Sequence, residues 1–264
     1  KSDLNVVALI GERGREVLPF IRESLGEEGM ARSIVIVSTA NESPLARVRA
    51  AESAITIANW FRNQNNNVLL MLDSLTRLAM AQRDLGLMLG EPPTSRGYTP
   101  SVFQKMAVLL EQLGKSDRGS ITGILTILVE GDDMNDPVAD TARSILDGHI
   151  VLDRALANAG HFPAIDALSS ASRLFLDLVS REQVDAAKAI RQIIKQYNDV
   201  VDLVQVGAYQ PGVSPLTDLA LELYPQVCQF LQQDLGAPMP IDQTELVMQR
   251  LAAKWNAAIM EAAK

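Results

Sequence analysis

Short apolar runs recur along the first two thirds of the chain, and the longer stretches between them read as helices. The runs are Val6–Ile10, Ser33–Ser38, Val68–Leu72, Ile121–Val129 and His149–Leu152. Each is rich in Val, Ile or Leu and continuous rather than alternating, the pattern of strands buried on both faces of a parallel sheet. Helices are expected over Pro44–Asn63, Ser74–Leu89 and Ser101–Leu113. Pro44 suits a first helical turn, and Asn63 to Asn67 form a polar stop. The third helix is introduced by the turn-rich "GEPPTSRGYTP". Strand and helix repeated in this way predict an α/β domain with right-handed crossovers. After Ser180 the strand signals stop. Arg181–Val206, Pro215–Asp234 and Asp242–Ala263 read as three amphipathic helices, separated by "GAYQPGVSP" and "GAPMPI". The expected organisation is an α/β core over 1–178 and a small helical domain over 179–264.

Composition changes this picture only at its margins. At 264 residues, 47% hydrophobic and 21% charged, the chain is of ordinary globular type, and with 5% aromatics its core relies on aliphatic side chains. A net charge of −8 argues against broad binding to nucleic acid or anionic membranes, though a local pocket can still be basic. The only cysteine is Cys228, so no intramolecular disulfide is possible and a reducing compartment is expected. Neither a signal peptide nor an apolar run of transmembrane length is found.

The candidate chemistry lies at the strand ends. In open parallel sheets, ligands bind where the carboxyl ends of the strands meet the following loops. The first run stops on "GERGRE", which places Glu12 and Arg13 at such an end. Asp73 closes "VLLMLD", and Glu130, Asp132 and Asp133 follow "GILTILV". A carboxylate after an apolar run has the form of a Walker B aspartate, which helps hold Mg²⁺ beside nucleotide phosphates. Asp73 reads equally as a helix N-cap, and Glu12 as part of a solvated turn. The acids at 130–133 read either as a second acidic cluster or as loop-shaping partners of nearby arginines. His149 and His161 lie on different elements with no cysteine near them, so no metal site is expected there. Met80, Met88 and Met106 read as helix packing, and the charges of 180–202 as a solvated helix face. The "GEPPTSRGYTP" segment fits either a loop facing a central pore or a plain connector.

Several longer stretches carry a resemblance. "GERGREV", "VLLMLDSLTRLAMAQRD", "GEPPTSRGYTPSVF", "VEGDDMNDPVADTARSILDGHIVLDRALA" and "HFPAIDALSSASRLF" resemble the type III export ATPases of the flagellum and the secretion injectisome. These are similar in turn to the catalytic subunits of rotary ATP synthases. The "EGDDMNDPVADTARSILDGHIVLDR" segment favours the export branch, and the flagellar system is the preferred one of the two. The resemblance implies a RecA-like P-loop NTPase core with a mostly parallel sheet, followed by a small all-helical C-terminal domain. It implies Glu12 as the base that polarises the attacking water, and Arg13 and Arg77 as contacts to the terminal phosphate. Asp73 would be the Walker B aspartate at Mg²⁺, through a water. Arg173 would be the arginine finger offered to a neighbouring subunit, and Phe162 the aromatic that stacks on adenine. ATP and Mg²⁺ are the implied cofactors. The implied setting is a homo-oligomeric ring, commonly a hexamer, in the cytoplasm and peripheral at the inner-membrane export gate. Its implied partners are a stalk, regulators and chaperone–cargo complexes, without nucleic acid.

One departure stands against this. The family's P-loop, GxxxxGK[ST], occurs nowhere in the 264 residues. The expectation is a chain that starts after the P-loop helix and lacks the N-terminal β-barrel. The missing P-loop strand should then leave a gap in the parallel sheet, with unpaired backbone groups. Three functional readings remain: an export ATPase, a fragment that assembles without hydrolysing ATP, and a synthase-type subunit.

Overall fold

The computed structural model describes residues 2–234 and 236–262. The chain divides into two compact units, Lys1–Leu146 and Asp147–Lys264.

The first unit opens with β1 (Leu4–Ile10), followed by α1 (Gly14–Pro19), a π-helical stretch (Phe20–Leu25) and α2 (Gly26–Ala31). Then come β2 (Ser33–Ser38), α3 (Pro44–Asn63), β3 (Asn67–Asp73), α4 (Leu75–Met88) and α5 (Pro100–Leu110). The short β4 (Gly114–Lys115), β5 (Ser120–Leu125) and α6 (Pro137–Ile145) complete it. The sheet order is β2-β1-β3-β5-β4, parallel except for the β4–β5 pair. Its continuous apolar runs are buried as such runs predict: Val6, Ala8 and Ile10 of β1 and Val68, Leu70 and Leu72 of β3 all join one core.

Local signals set the helices. Ser43 caps α3 by accepting from Ala46 N at 3.2 Å, and Pro44 follows it in the first turn. The buried face of α3 is Val48, Ala51, Ala54, Ile55 and Ala58, a helical spacing of mostly small residues that lets the helix lie close on the sheet. Ser74 caps α4 through Arg77 N at 3.3 Å. Gly86 in α4 has no room for a side chain, because a Cβ there would sit 2.3 Å from Thr99 Oγ1.

In the second unit, β6 (Gly148–Leu152), α7 (Arg154–Asn158), β7 (Ile165–Ser172) and α8 (Phe175–Leu178) precede three long helices, α9 (Arg181–Gln205), α10 (Pro215–Leu231) and α11 (Ile241–Ala262). β6 and β7 pair antiparallel, with a register shift between His149 and Val151. A Ser180–Gln183 capping box starts α9. The helical core joins Ala186, Ala189, Ile190 and Ile193 of α9 to Ala220, Leu223 and Val227 of α10 and Leu251, Ala252 and Trp255 of α11. Arg191 of α9 donates to the carbonyls of Ala167, Leu168 and Ser170, tying β7 to that helix.

The sequence expectations need correction at several points. His149–Leu152 is a strand, but it belongs to the two-stranded antiparallel sheet and leaves Ile150 and Leu152 exposed. An apolar run shows that a strand is favoured and is silent about its partner. Ile121–Val129 ends as a strand at Leu125, and β4 and β7 were not foreseen. The five-stranded sheet has no interior break. Instead, among the described residues, the far edge of β5 is paired only at Ser120 and Ile121, by β4. From Arg181 onward no strand occurs among the described residues, only helices and their connections; Ala263, the expected last helical residue, lies outside them. The compact units divide after Leu146, with the β6–β7 sheet in the same unit as the helices that follow it.

Candidate functional site

β1 and β3 are neighbours in the sheet, with Leu9 opposite Asp73, so their carboxyl ends lie side by side. At Gly11 the chain turns with φ at +72°, a conformation that favours glycine. A side chain there is excluded a second time, since a Cβ would meet Arg77 Cβ at 2.8 Å. The aliphatic stem of Arg77, from the first turn of α4, therefore rests on Gly11. The strand ends are stitched by Gly11 N to Ser38 O at 2.6 Å, Ala40 N to Glu12 O at 3.0 Å and Ser74 N to Ile10 O at 3.4 Å.

Four of the expected residues share one electrostatic environment. The Glu12 carboxyl is pushed above its ordinary range, first by burial and then by the charge of Asp73. Arg77 pulls it back down, Glu16 pushes it up, and Arg13 lowers it. Arg13 is exposed and meets Glu16 Oε1 at 3.4 Å. Arg77 Nε is buried and has no hydrogen-bond partner among the described residues. An unsatisfied buried donor is a place where a hydrogen-bond acceptor such as a phosphate oxygen would be welcome. Asp73 Oδ1 accepts from Thr126 Oγ1 at 2.6 Å. The capping role falls to Ser74, so the N-cap reading of Asp73 is set aside.

This donor set fits one hard cation shared with a phosphate, because Mg²⁺ is typically held by one or two carboxylates plus phosphate oxygens. It does not form an all-protein metal cage: no group of three or more potential ligands occurs among the described residues.

Phe162 and Arg173 belong to the second unit, just before and just after β7. The Phe162 ring is largely exposed, and its carbonyl accepts from Gln233 N at 2.9 Å. Arg173 N donates to Asp147 O at 2.7 Å, and the residue is exposed. Of the acids at 130–133, Asp133 behaves as a loop-shaping partner: it pairs with Arg96, which also reaches Asp136 at 3.7 Å. That pairing anchors the "GEPPTSRGYTP" loop and holds the Asp133 carboxyl below its ordinary range. His149 Nε2 lies 3.0 Å from Ser169 O.

Thr126 and Gly11 were not singled out as site residues from sequence. The glycine was visible as a bracket around Glu12, and Thr126 only as a polar interruption of the run "GILTILV".

Residues 1–172 match the ATP synthase alpha/beta family, nucleotide-binding domain. Residues 179–250 match the T3SS EscN ATPase C-terminal domain. The flagellum-specific ATP synthase of Bacillus subtilis is 51% identical over 244 residues, 92% of this chain and 56% of that protein. A type 3 secretion system ATPase of Sinorhizobium fredii is 47% identical over 252 residues, 96% of this chain and 56% of that protein. The assembled ATPase EscN from the enteropathogenic E. coli type III secretion system superposes with a TM-score of 0.92 at 43% identity, covering 96% of this chain and 61% of that one. EscN in complex with its central stalk EscO gives 0.87 at 41% identity, covering 96% and 60%. The chain thus spans about half the length of the curated relatives it matches. With its α/β nucleotide-binding region and helical C-terminal region both matched, this chain belongs to the ATP synthase alpha/beta family, alongside the flagellar and type III secretion ATPases.

Proposed function

We propose that this chain carries the hydrolytic side of an ATP site in a protein-secreting ATPase. The observation that carries the reading is the convergence of Glu12, Asp73 and Arg77 at the ends of β1 and β3, with an unsatisfied guanidinium donor among them. Phosphoryl transfer needs positioning and neutralisation of spreading negative charge more than covalent chemistry. Glu12 is the base that orients and polarises the attacking water. Its proton affinity, raised by burial and by Asp73 and moderated by Arg77, suits a group that must take up a proton. Arg77 and the exposed Arg13 meet the terminal phosphate. Asp73 would hold Mg²⁺, through a water, and the ion would supply neutralisation of phosphate charge. Phe162 stacks on the adenine. Arg173 serves the site of a neighbouring subunit, where an arginine finger is worth about 10³–10⁵ in rate.

The working form is a homo-oligomeric ring, a hexamer, in the cytoplasm and peripheral at the inner-membrane export gate. It couples hydrolysis to unfolding or release of cargo from its chaperones and takes a stalk and regulators as partners. Support for the stalk comes from the relative whose structure includes one, and no helix among the described residues is long and apolar enough to cross a membrane. On its own, a chain without a GxxxxGK[ST] segment lacks the amide cradle for the phosphates, so the isolated 264 residues are expected to assemble without turnover.

The test is Glu12→Gln in the protein that carries these residues together with a phosphate cradle. ATP binding should persist while turnover falls by about 10²–10⁴. Unchanged turnover would remove Glu12 from the base role. Arg173→Ala should likewise lose turnover more than affinity, since the charge it meets develops during transfer. Mixed rings of the two variants should recover activity, because some interfaces then combine an intact Glu12 with an intact Arg173. No recovery in confirmed mixed rings counts against catalysis across the interface.

A further inference from the structure

Thr126 stands one residue beyond β5, and its backbone is fixed on both sides. Its amide donates to Leu72 O at 3.0 Å, and its carbonyl accepts from Leu75 N at 2.9 Å. Two residues on, Leu128 N donates to Thr76 Oγ1 at 2.8 Å. The β3–β5 ladder thus runs past the end of the sheet into the first turn of α4. None of these bonds uses the Thr126 side chain.

Its hydroxyl has one proton to donate and two acceptors within reach. Leu72 O lies at 3.5 Å and Asp73 Oδ1 at 2.6 Å. The shorter contact and the carboxylate charge both select Asp73. Oδ1 is thereby engaged, and no other hydrogen bond to the Asp73 carboxylate is made among the described residues. The terminal torsion of an aspartate is broad, so a free carboxylate would sample many orientations. One short bond from a backbone-fixed donor removes most of that freedom.

We propose that Thr126 is the positioning residue of the ion-holding carboxylate, fixing Asp73 so that Oδ2 is the oxygen left for a divalent cation on a bound nucleotide. The proposal rests on the reading of Asp73 given under the proposed function. Thr126 is exposed, so the hydroxyl contributes little to folding, and its contribution falls on ion binding. Partners of this outer kind are typically worth about 10–100-fold in metal affinity.

The experiment uses Mn²⁺ as an EPR-visible probe, titrated into the protein that carries these residues with a non-hydrolysable ATP analogue present. Thr126→Val keeps the shape and removes the hydroxyl; Thr126→Ser keeps the hydroxyl and removes the methyl. Thr126→Val should weaken Mn²⁺ binding about tenfold or more, with the thermal midpoint moved by less than about 3 °C. Thr126→Ser should restore wild-type affinity. In EDTA, the analogue should bind all variants alike. Wild-type Mn²⁺ affinity in Thr126→Val, alongside a large loss in Asp73→Asn, overturns the proposal and leaves the Asp73 reading standing. Equal losses in the valine and serine variants overturn it too, since packing rather than the hydroxyl would then matter. Full Mn²⁺ affinity in Asp73→Asn removes the Asp73 reading itself. If the valine variant does not fold, Thr126→Ala carries the same comparison.

Discussion

β1 and β6 both carry short apolar runs of Val, Ile and Leu and end in opposite surroundings. Val6 and Ile10 of β1 are 0% exposed, whereas Ile150 and Leu152 of β6 are 73% and 71% exposed. β1 has a parallel neighbour on each side and helices α3 and α4 packed against it. β6 has one antiparallel neighbour. Hydrophobic run length is therefore no measure of burial; the number of neighbours decides it. The same contrast orders the candidate chemistry. The residues that converge sit at the ends of the strands with neighbours on both sides, where the backbone is held on each flank.

The largest stability effect should come from the buried sheet. Leu70→Ala empties a fully enclosed position in β3 and should cost about 2–5 kcal/mol. Segment-resolved hydrogen exchange should show protection falling in β1, β3 and β5 while the amides of α9, α10 and α11 keep theirs. Equal loss in both units would erase the distinction between them.

A smaller effect sharpens the helical side. Ser180→Ala removes the cap and half of the capping box of α9 and should cost about 0.5–2 kcal/mol. Trp255 is buried in the helical core and bonded to Gln192, so a Trp60→Phe background leaves it as the single tryptophan reporter. A urea midpoint unchanged at Trp255 would show that the cap is not stabilising the bundle.

Smaller again is the Glu12 effect on stability. Its folded-state proton affinity is raised, by burial first and Asp73 second. The folded protein then binds more protons than the unfolded chain across that window. The stabilisation is present below the unfolded-state value and is lost as pH rises through the folded-state value. At neutral pH Glu12→Gln should therefore be slightly more stable than the wild type, and the gain should vanish on acidification. A stability difference that grows toward low pH would reverse the sign and contradict the site's electrostatics. Smallest of all, Ile150→Ala should change stability by no more than about 0.5 kcal/mol, because little apolar surface is given up. A loss like that of Leu70→Ala would mean that β6 is covered after all.

The contrast also marks what could be read in advance. β2 and α3 fall on the residues that the pattern predicted, and β3 and α4 lie within a residue or two. Their signals are local: a continuous apolar run, Pro44 in a first helical turn, and a polar stop at Asn63–Asn67. Glu12 and Asp73 were legible as charges at strand ends for the same reason, whereas Arg77, inside α4, was named only through the family resemblance. That Asp133 pairs with an arginine was one of two alternatives in the sequence, but the choice of Arg96 was not legible, since 37 residues separate the partners.

By itself, the amino-acid sequence determined β1, β2, β3 and the long helices, where most of them stop, and which carboxylates stand at the ends of the strands. Capping, propensity and apolar run length act within a few residues, so they can be read from a short window. Only the tertiary structure decided that β6 pairs with β7 outside the parallel sheet, that Arg77 lies on Gly11, and that the hydroxyl of Thr126 turns to Asp73. Each of these joins residues remote in sequence, and such pairings depend on the competition among all available neighbours once the chain has collapsed, which no local window records.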